Sequence, residues 1–165
     1  MIARTILLSL CLAFGSLFAQ EDNFRKGDDL FAKGKYAESI EAYTRAIEVD
    51  PDNLNAYIQR GLAYSITKEY EKAAADYSLV LEKKPDMINV KNSRGSAYLK
   101  LKMYDKAFAD FNDIINADPD NQEAYNNRGW CKKYLGDQEG ACEDWKKSKK
   151  LGNDEAKIIL KNSDC

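Results

Sequence analysis

Histidine is absent from this chain of 165 residues. That removes Ser–His and Cys–His nucleophile pairs, and every imidazole metal ligand with them. Cysteine is scarce: Cys11 lies near the start, and Cys131, Cys142 and Cys165 stand at spacings that fit no CxxC-type metal motif. With three prolines and nine glycines there is no flexible linker or low-complexity tract. Charge of one sign does not accumulate either. The 25 Lys and Arg against 27 Asp and Glu give a net charge of −2, mixed along the chain, with no basic stripe for nucleic acid and no charged tail. The composition therefore argues against an enzyme, a cofactor, a metal site or a nucleic-acid partner. Carboxylate-only chemistry is the catalytic class it leaves open.

One long apolar run exists, and it opens the chain. Arg4 is the single charge before Ile6 to Phe18, and Ala19 precedes an abrupt change to Gln20-Glu21-Asp22-Asn23. A charged start, short apolar centre and small-residue exit read as a secretory signal peptide over residues 1–19, cleaved between Ala19 and Gln20. The rival reading is a permanent anchor. Thirteen helical residues reach only about 20 Å, against a hydrocarbon core of roughly 30 Å. Lipidation at Cys11 is a further alternative, but Leu10 before it is bulky and the apolar run continues past it. The expectation is an exported protein, periplasmic or secreted, without a stable membrane span after cleavage.

What the rest of the chain has in abundance is itself. Gly27, Gly61, Gly95 and Gly129 stand 34 residues apart, as do Pro51, Pro85 and Pro119. Tyr43, Tyr77, Phe111 and Trp145 keep the same interval, and so do Ser39, Ala73, Ala107 and Ala141. A period of this size marks a stack of identical supersecondary units. It turns attention from a catalytic pocket to a surface of repeated helix faces.

Each unit reads as two amphipathic helices. Tyr57, Gly61 and Tyr64 recur at i, i+4 and i+7 on a first helix. Glycine within a helix costs about 1 kcal/mol against alanine, so a second helix crossing close above it is the natural reason for its presence. That helix offers Ala73, Tyr77 and Val80. Proline closes the unit, because it disfavours helix in the residue before it and suits the first turn of the next helix. Asp50-Pro51-Asp52-Asn53 and Asp118-Pro119-Asp120-Asn121 supply capping side chains at the same places.

These residues resemble the tetratricopeptide repeat (TPR) family. Its pattern of an early large residue, Gly or Ala, Tyr, Ala, an aromatic and a closing Pro is met by Tyr57-Gly61-Tyr64-Ala73-Tyr77-Pro85 and again by Gly95-Tyr98-Ala107-Phe111-Pro119. The first unit fits more loosely, with Asn23 and Leu30 in the large-residue slots. The fourth departs most: Lys132 replaces the tyrosine, Ser148 an aliphatic residue and Asn153 the proline. The resemblance implies an all-α fold, a right-handed α-solenoid of four helix-turn-helix repeats over residues 20–53, 54–87, 88–121 and 122–153. Residues 154–165 then form a capping helix, which a solenoid needs to cover its last apolar face.

Antiparallel neighbouring helices bring residues equally far from their turn to one level. Cys142 and Cys165 stand so about the reversal at Gly152-Asn153, which predicts a disulfide and leaves Cys131 unpaired and buried. Export makes the bond chemically reasonable, and its 24-residue loop is worth about 3 kcal/mol in the entropic account. Three free thiols in a reducing compartment is the alternative. Arg60, Arg94 and Arg128 before each repeat glycine, and Asp76, Asp110 and Asp144 before each second-helix aromatic, read as surface ion pairs of small individual worth. Lys146, Lys147, Lys149 and Lys150 read as cations at a helix C-terminus, with an anionic-surface contact as the alternative.

In this family the stripe beside the core face of each first helix lines a concave groove, and the resemblance implies the same here. It carries Ile58, Gln59 and Leu62, then Asn92, Ser93 and Ser96, then Asn126, Asn127, Trp130, Lys133 and Tyr134. Phe24, Arg25, Asp28 and Phe31 take the equivalent places in the first unit. The amides and hydroxyls can bond an extended backbone, and Trp130 with Tyr134 can anchor it, unless those rings pack on neighbouring helices instead. A clamp for terminal carboxylates is excluded, because Phe24, Asp28, Gln59, Asn89 and Ser93 lack its cations. The implied function is a non-catalytic adaptor for a protein or peptide partner whose identity is open. The alternative is a structural subunit of an envelope-associated assembly or homo-oligomer.

Overall fold

The computed structural model describes residues 23–163 and 165, so the expected signal peptide over residues 1–19 and Cys11 lie outside the described residues. The described residues form nine α-helices and no strand. Helix α1 covers residues 23–32. It is followed by α2 (Tyr36–Val49), α3 (Leu54–Ile66), α4 (Tyr70–Lys83), α5 (Ile88–Lys100), α6 (Tyr104–Ala117), α7 (Gln122–Tyr134), α8 (Gln138–Lys150) and α9 (Asp154–Lys161). The all-α class and the helix–turn–helix organisation read from the period are what the structure shows. The chain divides into two compact units, meeting within α4 between Val80 and Leu81.

In the first unit a ring from each second helix lies on a glycine of the first. Tyr43 covers Gly27, and Tyr77 covers Gly61 so closely that a methyl group there would stand 2.7 Å from the ring. Both tyrosines are at most 1% exposed. Ala46, Ile47 and Ala56 are buried beside Phe24 and Tyr57. Tyr43 also donates a hydrogen bond to Asp28 Oδ1 at 2.8 Å. Burial first, and then this bond, hold its phenol protonated well above the ordinary range.

The second unit repeats the device. Phe111 lies on Gly95 and Trp145 on Gly129, where an added methyl would meet the rings at 2.9 and 2.6 Å. Ala107, Phe111, Ile114, Ile115, Ala124 and Cys131 form one buried cluster. Ala141, Trp145 and Ala156 form another, which joins α8 to α9.

Turns and caps explain where the helices stop. The residue that reverses the chain inside each repeat is left-handed: Gly34, Lys68, Lys102 and Gly136 have φ of 73°, 66°, 59° and 92°. The amide after it bonds back over the turn, as Glu69 N does to Tyr64 O at 2.8 Å and Met103 N to Tyr98 O at 2.9 Å. Two repeats thus accept lysine where glycine is unstrained. At the other end Asn53, Asn121 and Asn153 accept from the amide three residues on. Met87 takes that place before α5 and makes no such bond.

The Arg–Asp pairs differ from the surface bridges expected of them. Asp76, Asp110 and Asp144 are each 4% exposed. Each accepts two bonds from one guanidinium: Arg60 to Asp76 at 2.7 and 2.8 Å, Arg94 to Asp110 at 2.6 and 2.9 Å, Arg128 to Asp144 at 2.7 and 2.8 Å. Arg60 Nη1 adds a bond to Thr44 on α2, and Arg128 Nη1 one to Asn112 on α6. One arginine thus ties its own repeat to the second helix of the repeat before. The bonds to Asp110 and Asp144 hold Arg94 and Arg128 above the usual guanidinium range, against burial that works the other way. Geometry of this quality offsets the desolvation of both charges.

Gly129→Ala is expected to cost about 2 kcal/mol by overpacking against Trp145, read as a lower urea midpoint at unchanged slope. Asp110→Ala is expected to cost about 3 kcal/mol, since it strands a partly buried guanidinium. The exposed Lys91–Asp113 bridge supplies the internal control: Asp113→Ala costs under about 1 kcal/mol in the same titration.

Candidate functional site

The polar stripe falls in both units. In the first, Ile58 and Gln59 are half-buried and Leu62 is 39% exposed, all on α3. In the second, α5 presents Asn92, Ser93 and Ser96, all half-buried, with Ser93 Oγ returned to Asn89 O at 3.1 Å. On α7, Asn127 and Trp130 are half-buried and Lys133 and Tyr134 exposed.

Four of these residues come together. Ser96, Asn127, Trp130 and Tyr134 line a depression of about 510 Å³, shared with Leu99, Lys100, Lys102, Tyr104 and Glu155. Asn92, Ser93 and Lys133 do not border it. Its wall is a tier of rings. Tyr104 stacks on Tyr134 at 4.6 Å and 13°, Tyr134 lies 5.9 Å from Trp130, and Trp130 meets the buried Trp145 edge-on at 5.2 Å. Lys133 places its ammonium 5.2 Å from the centre of Trp130. The two alternatives for Trp130 and Tyr134 therefore coexist: each ring packs on a neighbour and still borders open space.

Asn126 stands apart from the rest of the stripe. It is 3% exposed, its backbone carbonyl accepts from Trp145 Nε1 at 3.2 Å, and its amide donates to Glu155 at 2.9 Å. It secures α9 to α7 and is closed to a ligand. Five contributors to the depression were not singled out from sequence: Leu99, Lys100, Lys102, Glu155 and Tyr104. A signal existed for the last, because Tyr36, Tyr70 and Tyr104 keep the 34-residue interval.

The fourth repeat's departures each acquire a partner. Lys132 bridges Asp144 at 3.1 Å and donates to Gly140 O at 3.3 Å. Ser148 Oγ donates to Gln122 O at 2.7 Å, and Asn153 caps α9. The sulfurs of Cys142 and Cys165 are bonded, with Cα atoms 5.5 Å apart. Cys131 is a free, buried thiol, pushed up to about 12 by that burial. Among the described residues no group of three or more Cys, Asp or Glu is placed to hold a metal. Nor is any of their helices long and apolar enough to cross a membrane.

Comparison with known proteins places the architecture. A TPR repeat model matches residues 27–65, and a tetratricopeptide repeat model matches 54–87 and 88–121. The DnaJ homolog subfamily C member 7 homolog of Schizosaccharomyces pombe is 32% identical over 40% of this chain. The chain spans only 16% of that relative's length. A solved structure of a MamA RS-1 double mutant superposes with a TM-score of 0.82 at 18% identity, covering 86% of this chain and 81% of that one. A tetratricopeptide repeat protein from Parabacteroides merdae gives 0.78 at 23%, covering 85% and 57%. The fold class is that of all-α solenoids built from helix–turn–helix repeats, and the chain belongs to the tetratricopeptide repeat family.

Proposed function

We infer that this protein is an exported, non-catalytic scaffold that binds an extended segment of another protein along its first-helix stripe. Family membership supports an interaction role, since repeats of this kind serve as protein-binding scaffolds. The observation that carries the reading is the depression between α5, α7 and α9. It combines large, mutually braced aromatic surface with amide, hydroxyl and ammonium groups on its rim. Rings already packed against one another lose little freedom on binding, which favours them as anchors. Asn127 and Ser96 supply the donors and acceptors that an extended backbone requires. Lys100 and Lys102 have no acidic partner among the described residues, so a segment bearing carboxylates is favoured. In the first unit, Ile58, Gln59 and Leu62 hold the corresponding positions of α3.

Cross-linking in the native compartment supplies the partner, and overlapping peptides of the captured protein can then be titrated by tryptophan fluorescence. The double variant Trp130→Ala, Asn127→Ala is expected to weaken binding about 30-fold, the effect of losing one central anchor. Unchanged affinity overturns the site assignment. A stable oligomer in which Trp130 is already protected would favour the structural-subunit reading. Export has its own check: the protein recovered from the envelope or medium is expected to begin at Gln20. An intact leader on a wholly cytosolic pool defeats that part.

A further inference from the structure

The Cys142–Cys165 bond joins two elements of unequal standing. Cys142 belongs to α8, which buries Ala141, Trp145 and Ser148. Cys165 follows α9, eight residues that bury only Ala156 and leave Ile158 61% exposed. A helix so short does not hold its shape alone in water. Besides the covalent tie, α9 is kept by Ile159 and Leu160 against the Ala141–Trp145 cluster and by the Asn126–Glu155 bond.

The tie is also reachable and chemically unusual in its setting. Cys165 is exposed, and depressions of about 450 and 500 Å³ flank it. Lys146 lines both; Lys149 and Lys150 join it in the first, whereas Glu139 and Glu143 join it in the second, beside Cys142. None of these three ammoniums meets a carboxylate among the described residues, whereas Lys147 between them approaches Asp120 at 3.8 Å. Gln138 Nε2 donates toward Cys142 Sγ at 3.8 Å, and Ser163 Oγ toward Cys165 Sγ at 3.2 Å. The lysine-lined depression presents a cationic approach to Cys165 that draws in anionic thiols. Cys131, fully buried on α7, is closed to exchange.

We propose that the Cys142–Cys165 disulfide is a thiol-exchange site at which an anionic thiol releases, and oxidation refastens, the α9 cap. The thiolate of an external thiol attacks the exposed Cys165 Sγ, and the Cys142–Cys165 S–S bond breaks. The electron pair leaves on Cys142 Sγ, where the Gln138 amide already points, and that sulfur takes a proton from water. A second thiol attacks the external sulfur of the mixed disulfide, freeing Cys165 as a thiol and leaving the external pair as its own disulfide. Two thiols thus supply the two electrons that reduce the protein bond, and an external disulfide reverses the sequence. Once released, α9 frays and Glu155 withdraws from Asn126. The depression bordered by Trp130 and Tyr134 then loses one wall.

The test uses the whole mature chain and follows its thiols, so it stands whether or not the peptide-binding reading holds. Reduction is timed by quenched alkylation with glutathione (anionic) and cysteamine (cationic), both rates expressed per thiolate at low salt. Glutathione is expected to react about ten-fold faster, a preference of the size electrostatic steering gives. The triple variant Lys146→Gln, Lys149→Gln, Lys150→Gln erases it. The reduced chain keeps the helical signal of its other helices, while amide exchange accelerates in α9. Cys165→Ser shows the same exchange pattern without any reductant. Equal rates for the two thiols, unchanged α9 exchange after reduction, or reduction only together with global loss of helix each overturns the proposal.

Discussion

The contact between a second-helix ring and a first-helix glycine is the constraint on which the other features depend. The glycine is constant while the ring varies: Tyr43, Tyr77, Phe111 and Trp145 occupy the same notch with different outlines. Absence of a side chain is therefore what the packing needs, and the shape of the covering ring is adjustable. Because ring atoms occupy the space a side chain at the glycine would need, the two helices come close. That approach brings the residue before the glycine within bidentate reach of the residue before the ring, which is where Arg and Asp stand. A larger residue at the notch would thus disturb apolar packing and buried charge together.

Buried charge is tolerated here because each carboxylate meets its guanidinium in two short, parallel bonds. Each guanidinium spends two donors on its aspartate, and in two repeats a third on the previous repeat's Thr44 or Asn112. Aromatic faces enclose the rest: Arg60 lies 5.5 Å from the ring centre of Tyr57 and 5.8 Å from that of Tyr64, and Arg128 lies 5.4 Å from Tyr125. In the fourth repeat Lys132 stands where Tyr64 and Tyr98 stand earlier. Its ammonium turns to Asp144, which then answers to two cations. The substitution exchanges a ring face for a second charge and leaves the aspartate buried.

Much of this was legible in the primary sequence, for a physical reason. Periodicity reports positions that every repeat must solve in the same way, so glycine notches, covering aromatics and terminal asparagines announce themselves. Left-handed turn residues did not, because Gly34 and Gly136 share their slot with Lys68 and Lys102, and lysine gives no hint of positive φ. The depth of the Arg–Asp pairs was also hidden: spacing shows that two charges are level, not that the flanking rings exclude water from them. Asn126 and Asn127 are alike as neighbouring letters. Only the direction of α9 separates the buried one, bonded to Glu155, from the one beside the depression.

The fourth repeat shows how departures from a pattern can be parts of one arrangement. Asn153 in place of proline restores a backbone amide and a cap, which lets a helix begin at Asp154. Ser148 in place of an aliphatic residue reaches the carbonyl of Gln122 and draws the end of α8 onto the start of α7. Together they set α9 where a further first helix would lie, so that Asn126 is held from two sides, by Trp145 through its carbonyl and by Glu155 through its amide. Its Oδ1 is buried without a partner among the described residues, a cost that the arrangement accepts. Asn127 follows it directly, and Trp130 is one turn further along the same helix. A change in the seating of α9 is consequently a change at Asn126, and α7 carries it to the residues that border the depression.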